Sequence, residues 1–208
     1  MTSRCTRLRF ALPCLLLAAA CGSDEQSPID AAPTFDGPPT IDAPPPADAM
    51  PSPDADTSGF LLTSVDFVDG MIGVDQTCDG MNFSPKLAWT AWPGAASYGV
   101  VLNDVTFDFL HSAIYDVDGA ATLLPSGIER VYAPASPAGT HQAIAYDGNF
   151  GYAGPCPPSV HTYELVLYAL DVATLPGVDN TSTAGDVEAA LVDHALATTR
   201  LTGTYTPF

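Results

Sequence analysis

Residues 148–171 constrain this chain more than any other stretch. Three glycines (Gly148, Gly151, Gly154) and three prolines (Pro155, Pro157, Pro158) fall within eleven residues, and the chain then runs through His161 into a β-branched and aromatic segment ending at Asp171. Glycine lets backbone approach a neighbour or ligand closely, and proline limits how far a loop relaxes. A loop of fixed shape feeding a strand, with a histidine where the two meet, is how a pocket wall is built. The plainer reading is a strand connection with a surface histidine, and composition does not separate the two.

From Phe60 onward, short β-type runs alternate with turn residues every eight to twelve positions, which predicts a mainly β domain folded as an antiparallel sandwich. Residues 61–65 form a first strand, and Leu87, Ala88 and Trp89 another, with Trp89 and Trp92 as core and rim aromatics. Residues 97–104 read as a buried strand ending in Asp104. A turn over 105–108 returns the chain to His111, so hairpin geometry brings Asp104 towards His111, where a carboxylate would favour the charged imidazole. Residues 119–147 lack periodicity and read as loops, with His141 exposed. Near the end, Ser182 or Thr183 can cap a short helix with Val187, Ala190, Leu191 and a half-buried His194 on one face, before a last strand over 201–205.

The first sixty residues are of another kind. Residues 1–21 read as an export signal: Arg4, Arg7 and Arg9, then an apolar run too short to span a bilayer, then Ala18, Ala19 and Ala20 ahead of Cys21. That junction resembles a bacterial lipoprotein box, which makes Cys21 the expected lipidation site, although Ala18 stands where leucine is usual; cleavage without lipid is the alternative. Residues 22–59 hold nine prolines, eight acids and no base, and Asp30, Asp36, Asp42, Asp48 and Asp54 recur every six residues. Such a segment buries too little to offset its ordering entropy and favours polyproline geometry. At ~3 Å per residue it reaches on the order of 100 Å, a stiffened tether.

Residues 60–208 suit a single domain, and they carry three bases (Lys86, Arg130, Arg200) against sixteen acids, a formal −13. Nucleic acid and anionic lipid surfaces are thereby excluded as partners, since both require basic patches. Cys5 and Cys14 fall within the signal, leaving Cys78 and Cys156 in the domain. In an exported protein such a pair is most simply a disulfide; two buried free thiols are the alternative, and a redox or zinc site lacks a second cysteine near either.

The run Gly151-Tyr152-x-Gly154-Pro155-Cys156-Pro157-Pro158-x-x-His161-x-Tyr163 resembles the bacterial branch of the phosphatidylethanolamine-binding protein family, also called Raf kinase inhibitor-like proteins. Asp79, Gly80, Asn82, Ser84, Pro85, Leu87, Trp89, Ser97, Asp104, His111 and residues 201–205 support the likeness across 60–208. The resemblance implies a large antiparallel sandwich with a small anion pocket for a phosphate-like head group, formed here by Asp104, His111, Gly154, Pro155, His161 and Tyr163. This chain departs from the family over Val105, Thr106, Phe107 and Asp108, where proline, a second acid, alanine and proline are usual, at Ser112, where an aromatic is usual, and at Thr162, where the family carries arginine.

Two imidazoles, a tyrosine hydroxyl and backbone N–H groups suffice to hold a phosphate or carboxylate, more tightly once the histidines charge below about pH 6.5. The expected function is therefore a non-catalytic, membrane-tethered binding protein for a small anionic or phospholipid head group, facing the periplasm or cell surface, with a protein partner on the same face as a further possibility. No cofactor is expected. A hydrolase using Asp104, His111 and His161 is the alternative, but no Gly-x-Ser-x-Gly elbow occurs. A metal site is disfavoured because neither His-x-x-x-His nor His-Glu spacing occurs.

Overall fold

The computed structural model describes residues 59–208. The signal, Cys21 and the aspartate–proline hexads lie outside the described residues.

Ten strands, one 3₁₀ turn and one helix make up the domain. In chain order the strands are β1 (Leu62–Ser64), β2 (Phe67–Val68), β3 (Met71–Ile72), β4 (Leu87–Trp89), β5 (Ser97–Asp104), β6 (Phe109–Asp118), β7 (Leu123–Leu124), β8 (His141–Gln142), β9 (His161–Leu170) and β10 (Ala195–Tyr205). The helix, α1, spans Ala184–Asp193 and the 3₁₀ turn Val74–Gln76. A three-stranded sheet in the order β1-β4-β7 faces a seven-stranded sheet in the order β2-β3-β10-β9-β5-β6-β8. The expected sandwich is therefore present, with one departure from antiparallel pairing: β3 meets β10 in parallel at Thr204 and Met71.

The central strands β5 and β9 bury both faces, which explains their nearly unbroken apolar run. On one face Tyr98, Val100 and Leu102 of β5 and Leu165 and Leu167 of β9 pack against Leu87 and Trp89 of the small sheet. On the other, Val101, Val166, Tyr168 and Leu170 pack against Val187 and Leu191 of α1. Each such apolar side chain taken out of water contributes about 1.5–3 kcal/mol. Gly99 makes the helix contact possible, since a Cβ there would run into the Leu191 side chain.

Of the two expected caps, Thr183 is the one that starts α1. Its hydroxyl accepts from the Asp186 N–H at 3.3 Å while Asp186 accepts from the Thr183 N–H at 2.8 Å, a reciprocal capping box. The helix ends at His194, a half-buried C-cap whose Nδ1 lies 2.9 Å from Asp171 Oδ1. The last strand is longer than the expected 201–205 and follows the helix at once, because residues 195–200 also run along β9. Cys78 and Cys156 form the expected disulfide, closing a loop with a sequence separation of 78.

Candidate functional site

Register places three of the expected residues together. Asp104, the last residue of β5, sits directly opposite Tyr163 on β9, and His161 lies two residues before Tyr163 on the same face. His111 arrives by an irregularity. Leu102 pairs with Ser112 but Asn103 pairs with Leu110, so His111 is the extra residue of a β-bulge in β6. A bulge re-aims the side chain it carries. Here it turns His111 towards Tyr163, edge-on with ring centres 5.3 Å apart, and His161 stacks on the same tyrosine at 6.2 Å.

Both imidazoles are buried and both have Nδ1 committed. His161 Nδ1 donates to Asp104 Oδ2 at 2.5 Å, and the Thr106 N–H donates to the other carboxylate oxygen at 2.9 Å. His111 Nδ1 donates to the Ala153 carbonyl at 3.1 Å. Asp104 lies near enough to His111 to favour its charged ring, as expected, but it does not orient that ring: the register delivers the carboxylate to His161, and the bulge delivers His111 to the Ala153 carbonyl. Burial holds the His111 pKa below its ordinary value of 6.5, outweighing the Ala153 carbonyl and the nearby Asp104, which both favour the charged ring. Tyr163 is pushed above the usual phenol range by burial first and then by the nearby Asp104 charge.

What the rings offer a ligand is therefore Nε2. That atom of His161 is buried and has no protein partner. In a neutral ring it is an acceptor; a second proton turns it into a charged donor.

The Gly154 loop forms the third wall, but its amide does not face the site. The Gly154 N–H donates to Asn82 Oδ1 at 2.8 Å, and the Pro155 carbonyl accepts from the Cys78 N–H at 3.0 Å. A Cβ on Gly154 would collide with the Gln76 carbonyl, so this glycine serves close backbone packing against the segment carrying Cys78. The expectation that glycine N–H groups cradle an anion is corrected for Gly154, because Asn82 already takes that hydrogen. The disulfide lies beside this contact and ties the two segments together, which also removes Cys156 as a nucleophile.

Three aromatic residues that were not among the expected site residues complete the surroundings. Phe107 lies 4.8 Å from His161, Phe109 5.4 Å from His111, and Tyr146 4.6 Å from His111. Together with Tyr163 and the imidazoles they make a continuous arc of six rings. Strand alternation around His111 was the available signal for Phe109; Tyr146 gave none, since it is placed by its own N–H donating to the His111 carbonyl at 3.0 Å.

The other histidines lie elsewhere. His141 is half-buried rather than exposed: its Nδ1 lies 2.9 Å from the buried Asp116, and its ring packs on Tyr132. An internal apolar cavity of about 40 Å³ lies between Leu87, Leu102 and Leu165, and a surface cleft of about 280 Å³ between Met71, Tyr205 and Phe208; neither is lined by the site histidines. Among the described residues no group of three or more His, Cys, Asp or Glu side chains is arranged to hold a metal ion, and no helix is long and apolar enough to cross a membrane.

Over residues 63–206 the chain matches the family model for phosphatidylethanolamine-binding proteins. The chain belongs to that family. It is 36% identical over 141 residues to a UPF0098 protein of Methanothermobacter thermautotrophicus, covering 65% of this chain and 91% of the relative. To a UPF0098 protein of Aquifex aeolicus it is 31% identical over 136 residues, covering 62% and 77%. The crystal structure of Escherichia coli YbcL, described as a new member of the mammalian PEBP family, superposes with a TM-score of 0.66 at 27% identity, covering 73% of this chain and all of YbcL.

Proposed function

We propose that the protein is a non-catalytic binding protein that takes a phosphate-bearing head group between His111 and His161, and that lipid on Cys21 holds it to a bacterial membrane, facing the periplasm or cell surface. The observation that carries the reading is the buried Nε2 of His161. A buried polar atom without a partner costs about 1–3 kcal/mol, a cost a ligand removes, and the Asp104 bond fixes the ring so that the atom faces one direction.

Binding of a phosphate oxygen requires a proton on Nε2. Either the ring takes one up, Asp104 being positioned to stabilise the resulting imidazolium, or a protonated ligand group supplies it. Tyr163 stands opposite Asp104 and packs against both imidazoles, which places its hydroxyl beside the same head group. Gly154 and Pro155 support His111 through the Ala153 carbonyl.

Calorimetry with sn-glycero-3-phosphoethanolamine tests this. His111→Ala and His161→Ala are each expected to weaken binding about tenfold, in line with the loss of a charge-assisted hydrogen bond. A double variant that binds as tightly as the parent would show that the pocket lies elsewhere.

A further inference from the structure

Two strands that pair at a single point leave a cleft between them. β3 and β10 meet in parallel at Met71 and Thr204, where the Thr204 N–H donates to the Gly70 carbonyl at 2.8 Å, and beyond that point they part. Ile72 and Val74 on one side, and Tyr205 and Phe208 on the other, line a surface cleft of about 280 Å³ together with Val68 and Met71. Ile72 and Tyr205 are buried, whereas Val68 is 60% exposed, Met71 59%, Val74 38% and Phe208 97%. Apolar walls of this kind, side by side in water, mark a surface that something covers.

The charges on those walls have one sign. Asp69, at a φ of 52°, and Gly70 make the tight turn between Val68 and Met71. Asp75 follows Val74 in the 3₁₀ turn, and Asp79 Oδ2 accepts from the Tyr205 hydroxyl at 2.5 Å. Asp66 is held beside them by its carbonyl, which accepts from the Gly73 N–H at 2.9 Å. The segments that build the cleft, 66–79 and 204–208, contain these four acids and no lysine, arginine or histidine, a formal −4. A second copy of a domain with a balance of −13 is repelled by such a border, and a cationic partner is attracted. A simple cation would leave the apolar walls in water, so the fitting occupant carries both base and apolar side chains. Its shape follows from the sheet: β2 and β3 end the seven-stranded order, and a gap between strand ends admits an extended chain.

We infer that this cleft docks an extended, cationic segment of a partner protein, whose apolar side chains enter between β3 and β10 while lysine or arginine on either side meets Asp69 and Asp75. The two chemistries divide the work. Apolar anchors in the cleft supply most of the affinity, and the exposed carboxylates speed the encounter and make it sensitive to salt. The inference stands apart from the head-group site: Tyr205 is opposite His161 in the β10–β9 register, but none of the proposed site residues lines the cleft. A partner seated here therefore leaves the histidine pair open to its own ligand.

The test uses the full chain carrying Cys21→Ser, which removes the proposed lipid, and a fluorescent peptide in which lysine alternates with leucine and phenylalanine. Fluorescence anisotropy should show binding in low salt that weakens several-fold above ~0.15 M salt, and no binding of the same peptide with glutamate in place of lysine. Val68→Ser with Met71→Ser should lower affinity about tenfold, since both side chains are exposed anchors. Asp69→Asn with Asp75→Asn should lower it about threefold in low salt and flatten the salt dependence. Val192→Ser, an exposed apolar position beside Asp193 on α1, controls for general stickiness and should change nothing. Any one of three results overturns the inference: a parent that ignores the lysine peptide, equal binding of the glutamate peptide, or a Val68→Ser, Met71→Ser variant that binds like the parent. Self-association of the parent that this double variant abolishes, without peptide binding, assigns the cleft to a second copy and overturns it as well. Calorimetry with glycerophosphoethanolamine should give the same heat in parent and double variant.

Discussion

Asp104 and His161, separated by 57 positions in sequence, meet through a 2.5 Å contact from Nδ1 to Oδ2 at the end of two neighbouring strands. The contact fixes which nitrogen of His161 stays free. Asp104→Asn keeps the shape but replaces the carboxylate with a group that can also donate, so the ring loses its enforced tautomer. Head-group affinity should fall about tenfold and stability by roughly 1–3 kcal/mol, the scale of a hydrogen bond to a charged group. Calorimetry and urea unfolding check both; unchanged affinity would mean that the pair is structural only.

Binding should depend on pH through His111. Burial lowers its pKa from 6.5, so the second proton arrives only in more acid solution than an exposed histidine needs. Glycerophosphoethanolamine is a suitable probe because its phosphodiester keeps its charge there. Its affinity should rise as pH falls below 6.5, and His111→Asn should flatten that rise.

The same residue sets a stability trend of opposite direction. The folded state holds its proton less tightly than the unfolded chain, so the His111 contribution is fully present above 6.5 and is lost as pH falls from there through the lower folded value. Urea midpoints measured across this window should fall with pH in the parent and fall less in His111→Asn. Equal slopes would assign the trend to other groups.

Reduction of Cys78–Cys156 releases a loop of 78 residues and should cost about 4.5 kcal/mol in the chain-entropy account. Paired urea titrations with and without a dithiol reductant measure the difference. A difference under about 1 kcal/mol would indicate that the hydrogen bonds from Asn82 and Cys78 already fix the two segments.

Gly154→Ala places a methyl group against the Gln76 carbonyl and forces the loop away from Asn82. A loss of roughly 1–3 kcal/mol follows from such overpacking, together with weaker head-group binding as Ala153 shifts under His111. Thermal unfolding and calorimetry on this variant test both; a fully stable Gly154→Ala would show that the loop accommodates the methyl group.

Much of the fold was legible because the signals were local. The β-branched run of β9, the turn over 105–108, the Thr183 cap and the two domain cysteines each announce themselves within a few residues. The β2–β3 hairpin was too short to show alternation, and residues 195–200, three apolar followed by three polar, carry no period that reads as a strand without β9 beside them.

Chemistry and spacing alone determined the residue types of the site, the family resemblance and the sandwich class, since composition, turn residues and hydrophobic period act along the chain. Only the tertiary structure decided which imidazole receives the carboxylate, that the Gly154 amide is spent on Asn82, and that Phe107, Phe109 and Tyr146 gather around the histidines. Those outcomes hang on strand register and on one bulge at His111, and register is a long-range choice in which a shift of one residue sends every side chain to the opposite face.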